Sequence, residues 1–140
     1  MRKQVVDASA VLSVILGEET APAVRDASQG AEFIAPGSLA WEVGNALVVN
    51  VRKDRLSIGQ ARAALRQYEK IPVRTVPVDR AEALGIADGE GIYAYDAYML
   101  GCAERHTAPL LALDLRLRAV ARRRGLSVLP KQVDGDQRYH

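Results

Sequence analysis

Four acidic residues stand in surroundings that offer a carboxylate almost nothing. Asp7 lies in Val-Val-Asp-Ala-Ser-Ala-Val-Leu and Glu42 in Leu-Ala-Trp-Glu-Val-Gly-Asn-Ala-Leu. Asp96 lies in Ile-Tyr-Ala-Tyr-Asp-Ala-Tyr-Met-Leu and Asp114 in Leu-Leu-Ala-Leu-Asp-Leu. An ionised carboxylate moved into apolar surroundings without a partner is costly. Singly, Asp7, Asp96 or Asp114 could be a helix cap. Glu42 is harder to place that way, because it sits inside a helical run with Asn45 one turn later on the same face. Together the four need four partners, and few basic residues lie nearby in the chain. One shared divalent cation satisfies them all, and hard carboxylate oxygens suit Mg²⁺ or Mn²⁺.

Other chemistries find little support. The only histidines are His106 and His140, which leaves a histidine-based hydrolase triad or a histidine zinc site without residues. Cys102, the single cysteine, falls on an apolar helix face and reads as a small core residue. No glycine-rich phosphate loop is present. Asp7-Ala-Ser lacks the second acid, two positions on, of a haloacid-dehalogenase-like phosphatase.

The elements that must position the acids alternate. Short apolar runs at 4–6, 32–35, 73–78, 109–113 and 127–129 read as strands. Helical stretches are expected at 10–16, 21–28, 39–53, 58–70, 95–105 and 115–124, and another opens at Asp79 with the shape of a capping box. Residues 85–91, rich in glycine, read as a breaker-rich connection, and Ser38 and Ser57 as helix caps. Pro77 keeps the end of the third strand out of a central ladder position. Strands separated by helices imply crossovers, hence a three-layer α/β/α arrangement around a parallel sheet of four to five short strands. Ligands of such sheets bind beyond the carboxyl ends of the strands, where Asp7 and Asp114 stand.

The chain of 140 residues is sized for one domain, expected over 1–130 with a polar tail, 131–140, loose at its end. Apolar residues make up 49% and charged residues 26%, which excludes general disorder. A net charge of +2 gives no argument by itself for a nucleic-acid-coating or membrane-surface protein. One cysteine excludes an internal disulfide. The apolar stretch 5–16 is too short for a bilayer, and Asp7 near its start is wrong for a signal peptide. A cytoplasmic protein without a membrane partner is expected.

The ordered set Val5-Val6-Asp7-Ala8-Ser9, Glu42 with Asn45, Tyr95-Asp96-Ala97 and Leu113-Asp114 resembles the PIN-domain ribonucleases, most closely the VapC-type toxins of toxin–antitoxin pairs. The resemblance runs from about Lys3 to Leu129. Asp7, Glu42, Asp96 and Asp114 match the family's four acids, Ser9 the hydroxyl of its first motif and Asn45 its helical amide. It implies a PIN-like fold, a divalent-metal site, endoribonuclease activity, a homodimer and an antitoxin whose tail occupies the catalytic groove. Ala112 departs from the pattern, standing where Thr or Ser is usual, and Leu117 replaces a common aromatic.

Arg52, Lys53 and Arg55 at the end of the long helix, and Arg116 and Arg118 after the fourth acid, are candidate RNA phosphate contacts. Arg122, Arg123 and Arg124 read as solvent-facing charges at a helix C-terminus. Tyr93, Tyr95 and Tyr98 could stack on bases, though packing or a subunit interface is the more ordinary use, and Trp41 reads as a core or dimer contact. Two other readings compete. One is a catalytically weakened PIN-like module acting by protein binding, with Ala112 as its mark. The other is a receiver-like phosphate-transfer domain using Lys131, in which Glu42 has no role.

Overall fold

The computed structural model describes residues 2–136. Its elements in chain order are β1 (Arg2–Val6), α1 (Ala8–Ile15), α2 (Ala21–Ala27), β2 (Ala31–Ala35), α3 (Leu39–Arg52), α4 (Ile58–Glu69), β3 (Val73–Thr75), α5 (Arg80–Glu90), α6 (Ala94–His106), β4 (Leu110–Leu111), α7 (Leu115–Arg123) and β5 (Val128–Leu129). The five strands form one sheet in the order β3-β2-β1-β4-β5, and every pairing is parallel. The three-layer α/β/α fold expected from the alternation of strands and helices is the one observed. β3 lies at the edge, and after Val76 donates to Ala35 the ladder stops at Pro77, which has no N–H to give.

β1 is central and buried at Val5 and Val6, with Ile34, Leu110 and Leu111 from its neighbours. From β1 the chain moves one way to β2 and β3, then returns to add β4 and β5 on the other side. Right-handed crossovers place helices from those two directions on opposite faces. In agreement, α1 packs on α2, α3 and α4, whereas α5 packs on α6 and α6 on β1 and β4. The order therefore reverses between β1 and β4, and a crevice opens there beyond the strand ends.

Two local expectations change. The connection expected at 85–91 is helical, because α5 runs through Gly85 and Gly89 to Glu90. Two internal glycines weaken an isolated helix by about 1 kcal/mol each. Burying Ala83 and Ile86 against α6 offsets this, and the helix ends only at Gly91, whose φ of 67° is the left-handed cap. Ser57 caps α4 with a full capping box to Gln60, but Ser38 makes no cap bond on α3. The expected loose end of the tail and His140 lie outside the described residues.

Candidate active site

Each of the four acids sits at the N-terminal end of a different helix. Asp7 follows β1 and is the N-cap of α1, and Asp114 follows β4 and is the N-cap of α7. Glu42 lies in the first turn of α3 and Asp96 in the first turn of α6. The capping reading and the site reading both hold for Asp7 and Asp114. Asp114 Oδ1 accepts the amide of Leu117 at 2.9 Å, and Asp7 Oδ2 accepts the amide of Ser9 at 3.1 Å. Asp96 caps nothing, since Tyr93 holds that position.

Ser9 ties the two cap acids together. Its hydroxyl donates to Asp7 Oδ2 at 2.6 Å and accepts the amides of Leu113 at 2.9 Å and Asp114 at 3.4 Å. Asp7 N also donates to Leu111 O at 2.9 Å. The ends of β1 and β4 are thus locked in register where both carboxylates emerge.

Helix N-termini favour anions, by up to about 1 kcal/mol each where exposed. Burial and mutual repulsion win here. Asp7 is held above the usual aspartate range, first by burial and further by the Asp114 charge, against the opposing bonds from Ser9. Glu42 is pushed up to about 7, by burial and then by the charges of Asp7 and Asp96. Asp96 is pushed up to about 6, by burial and by Asp7 and Asp114, with Arg116 pulling it back. The four acids therefore feel one another, although they come from four distant parts of the chain. Glu42 Oε2 is buried without a hydrogen-bond partner among the described residues. The Ser38 hydroxyl favours the charged form of Glu42 slightly, but makes no well-formed bond and is itself unpartnered.

The donor set fits a hard divalent cation: four carboxylates, no softer ligand among them, and one buried oxygen without a partner. Among the described residues no three ligating side chains converge closely enough to grip an ion directly. Mg²⁺ keeps several of its waters, so one or two direct carboxylates with the others acting through water meet its needs.

Two open cavities flank the acids. One of about 700 Å³ is lined by Trp41, Glu42, Asn45, Asn50 and Tyr95. The other, of about 780 Å³, is lined by Ser9, Asn50, Arg55 and Asp114, with Glu18 and Asp134 at its walls. Asn50 belongs to both, and the expected amide Asn45 is exposed beside Glu42.

Among the basic candidates, Arg55 faces the second cavity, and Arg116 lies beside Asp96 with Nη2 on Gly91 O at 3.2 Å. Arg52 and Lys53 are exposed at the end of α3 and line neither cavity. Arg118 does not stand at the surface expected of an RNA contact. It is fully buried, and its guanidinium donates to Ala112 O, Pro130 O and both oxygens of Asp136. A residue so enclosed cannot meet RNA, and the helical period explains why: Arg118 points inward, four residues past the cap. Arg122 also reaches Asp136, and Arg124 pairs with Glu104 and Glu90, so these are not merely solvent-facing charges. Trp41 is not a core residue either, being 77% exposed. Pro77, Val78 and Arg105 line a further cavity, of about 320 Å³, on a part of the surface formed by none of these acids.

No helix among the described residues is long and apolar enough to cross a membrane. Comparison with curated proteins finds no match. Among solved structures, the crystal structure of PAE2754 from Pyrobaculum aerophilum is similar in fold, with a TM-score of 0.69 at 22% identity over 91% of each chain. The family model described as PIN domain matches residues 5–123, a span holding all four acids, and sets the receiver-like reading aside. PIN domains have a nuclease-type fold and generally act as hydrolases that use divalent metal ions. By its sequence across that span and by its fold, this chain belongs to the PIN domain family.

Proposed function

We propose that the chain is an endoribonuclease dependent on Mg²⁺ or Mn²⁺, and the toxin of a VapC-type toxin–antitoxin pair. One observation carries the reading: carboxylates from four helix starts gather around one crevice, where burial and neighbouring acids hold Asp7, Glu42 and Asp96 above their usual ranges. Asp7, Asp96 and Glu42 would hold the ion, and Asp114 would join directly or through water. When bound, the ion polarises the scissile phosphate and lowers the pKa of a bound water. Ser9 fixes the rotamer of Asp7 while spanning to the turn of Asp114. Arg116, beside Asp96, and Arg55, at the second cavity, would meet phosphate oxygens of the strand. Asn45 and Asn50 supply amides to the sugar and base edges.

The cognate antitoxin belongs to the same reading, its tail lying along the acids in place of RNA. So do a cytoplasmic setting and a homodimer, which would cover apolar side chains such as Ile58, 53% exposed on α4. A quenched fluorescent RNA tests the activity. The expected result is cleavage in Mg²⁺ or Mn²⁺, and loss of cleavage in Asp7→Asn and Asp96→Asn with circular dichroism unchanged. Full activity in excess chelator overturns it. A short upstream reading frame with a DNA-binding start and a basic, apolar tail supports the toxin role.

A second reading draws on Ala112, buried at the end of β4 without the hydroxyl usual there, its carbonyl already taken by Arg118. On it the chain is a weakened PIN-like module that binds a basic peptide at the acids. Pure protein that binds such a peptide and cuts no RNA in either metal decides for it.

A further inference from the structure

Two of the four acids are each preceded by an exposed aromatic ring. Trp41, next to Glu42, is 77% exposed, and Tyr95, next to Asp96, is 56% exposed. The two rings come from α3 and α6 and line the same open cavity with Glu42, Asn45 and Asn50. Tyr98 meets Tyr95 edge to face, ring centres 6.0 Å apart and planes at 82°, which steadies the Tyr95 ring. Exposed rings of this size are expensive to leave in water, and nothing in the fold requires them at these positions. Trp41 is the only tryptophan of the chain.

The geometry points to a base-stacking subsite: Trp41 and Tyr95 hold one unpaired base of the RNA beside the acids. This rests on the nuclease reading of the acids. Three features favour a nucleotide over a second copy of this chain. The patch is not wholly apolar, because Glu42, Asn45 and Asn50 line the cavity together with the rings. A protein copy seated here would take the exposed Asn45 amide and the accessible part of Glu42 out of water. Every base offers a flat face to a ring, but only when it is not stacked within a duplex. The amides of Asn45 and Asn50 can meet base or sugar edges at the same place.

Trp41 emission reads the proposal directly. Asp7→Asn protein, which keeps the tryptophan, is titrated with a short oligouridylate in Mg²⁺, and then with a blunt RNA duplex. Saturable quenching by the single strand but not by the duplex is expected, with protection from acrylamide. In the wild-type protein, Trp41→Ala is expected to raise KM for a structureless RNA about tenfold, with kcat within about twofold, and Trp41→Phe to restore most of it. Melting temperatures within about two degrees confirm that the exposed site was not structural. Equal quenching by the duplex, or an unchanged KM in Trp41→Ala, overturns the subsite while metal-dependent cleavage stands. Quenching without any cleavage by wild type supports the subsite and removes the nuclease reading. Emission already blue-shifted and acrylamide-shielded in a free dimer means that a second copy covers the ring, and overturns the proposal.

Discussion

The Ser9 hydroxyl stands 2.6 Å from Asp7 Oδ2, and it takes the amide of Leu113, 104 residues further along, on its other side. One small side chain thus orients a carboxylate and fastens the strand end that carries another. Ser9→Ala removes both functions. The amides of Leu113 and Asp114 lose an acceptor, and Asp7 loses the bond that best opposes the rise in its pKa. A loss of about 1–3 kcal/mol in urea unfolding is expected. Cleavage should fall, with part of it recovered at high Mg²⁺, and Ser9→Thr should behave close to wild type.

The acids make stability depend on pH in an unusual direction. Glu42 and Asp96 bind protons more tightly folded, at about 7 and about 6, than unfolded, at about 4.3 and about 3.9. Between those limits the folded state holds more protons, so stability is fullest at the acid end and is lost as pH rises through the folded values. In chelator, the melting temperature should decline from about pH 5 to about pH 8, and Glu42→Gln should flatten that decline.

A divalent ion should reverse the same trend. Ligating carboxylates must be deprotonated, so binding releases protons and strengthens with pH. Mg²⁺ or Mn²⁺ is expected to raise the melting temperature most above about pH 7, and scarcely at all in Asp7→Asn. Differential scanning fluorimetry over a pH and metal grid reads this without any substrate. No metal effect on melting at any pH would count against the four-acid site.

The enclosed Arg118 and its partner Asp136 should dominate unfolding where β4 and β5 end. Arg118→Ala takes the donor from Ala112 O and Pro130 O and the main partner from the buried Asp136 carboxylate, and a loss of about 3–5 kcal/mol is expected. The double change Arg118→Met with Asp136→Leu should recover part of that loss only, because the two carbonyls stay without a donor. Asp136 is held well below the usual range by Arg118, so this contribution is present at neutral pH and fades as pH falls below about 4. Urea titrations at two pH values separate it from the opposite trend of Glu42 and Asp96.

Some of this architecture was legible in the residues and some was not. Asp7 and Asp114 could be placed because continuous apolar strands stop at them, and a parallel sheet has only one end for ligands. Glu42 and Asp96 stood out as charges inside apolar helical runs. Arg118 was misread because its partner, Asp136, stands 18 positions away in what reads as a polar tail, and no local pattern links the two. The length of α5 was hidden by Gly85 and Gly89, whose low propensity is overridden by packing on α6. Of the two uses read for Trp41, core or dimer contact, the core one fails, because the buried face of α3 is the one that carries Val43 and Leu47.

Synthesis delivers β1 at the outset, and its neighbour β4 only after three-quarters of the molecule has been translated. Asp7 therefore waits, without its companion carboxylate, until Asp114 has cleared the exit tunnel and inserted beside it. Until then the crevice has only the β1 side of its wall. The Ser9 hydroxyl meets the amide of Leu113 only then, so the bond that fastens the two strand ends is among the last the chain can form.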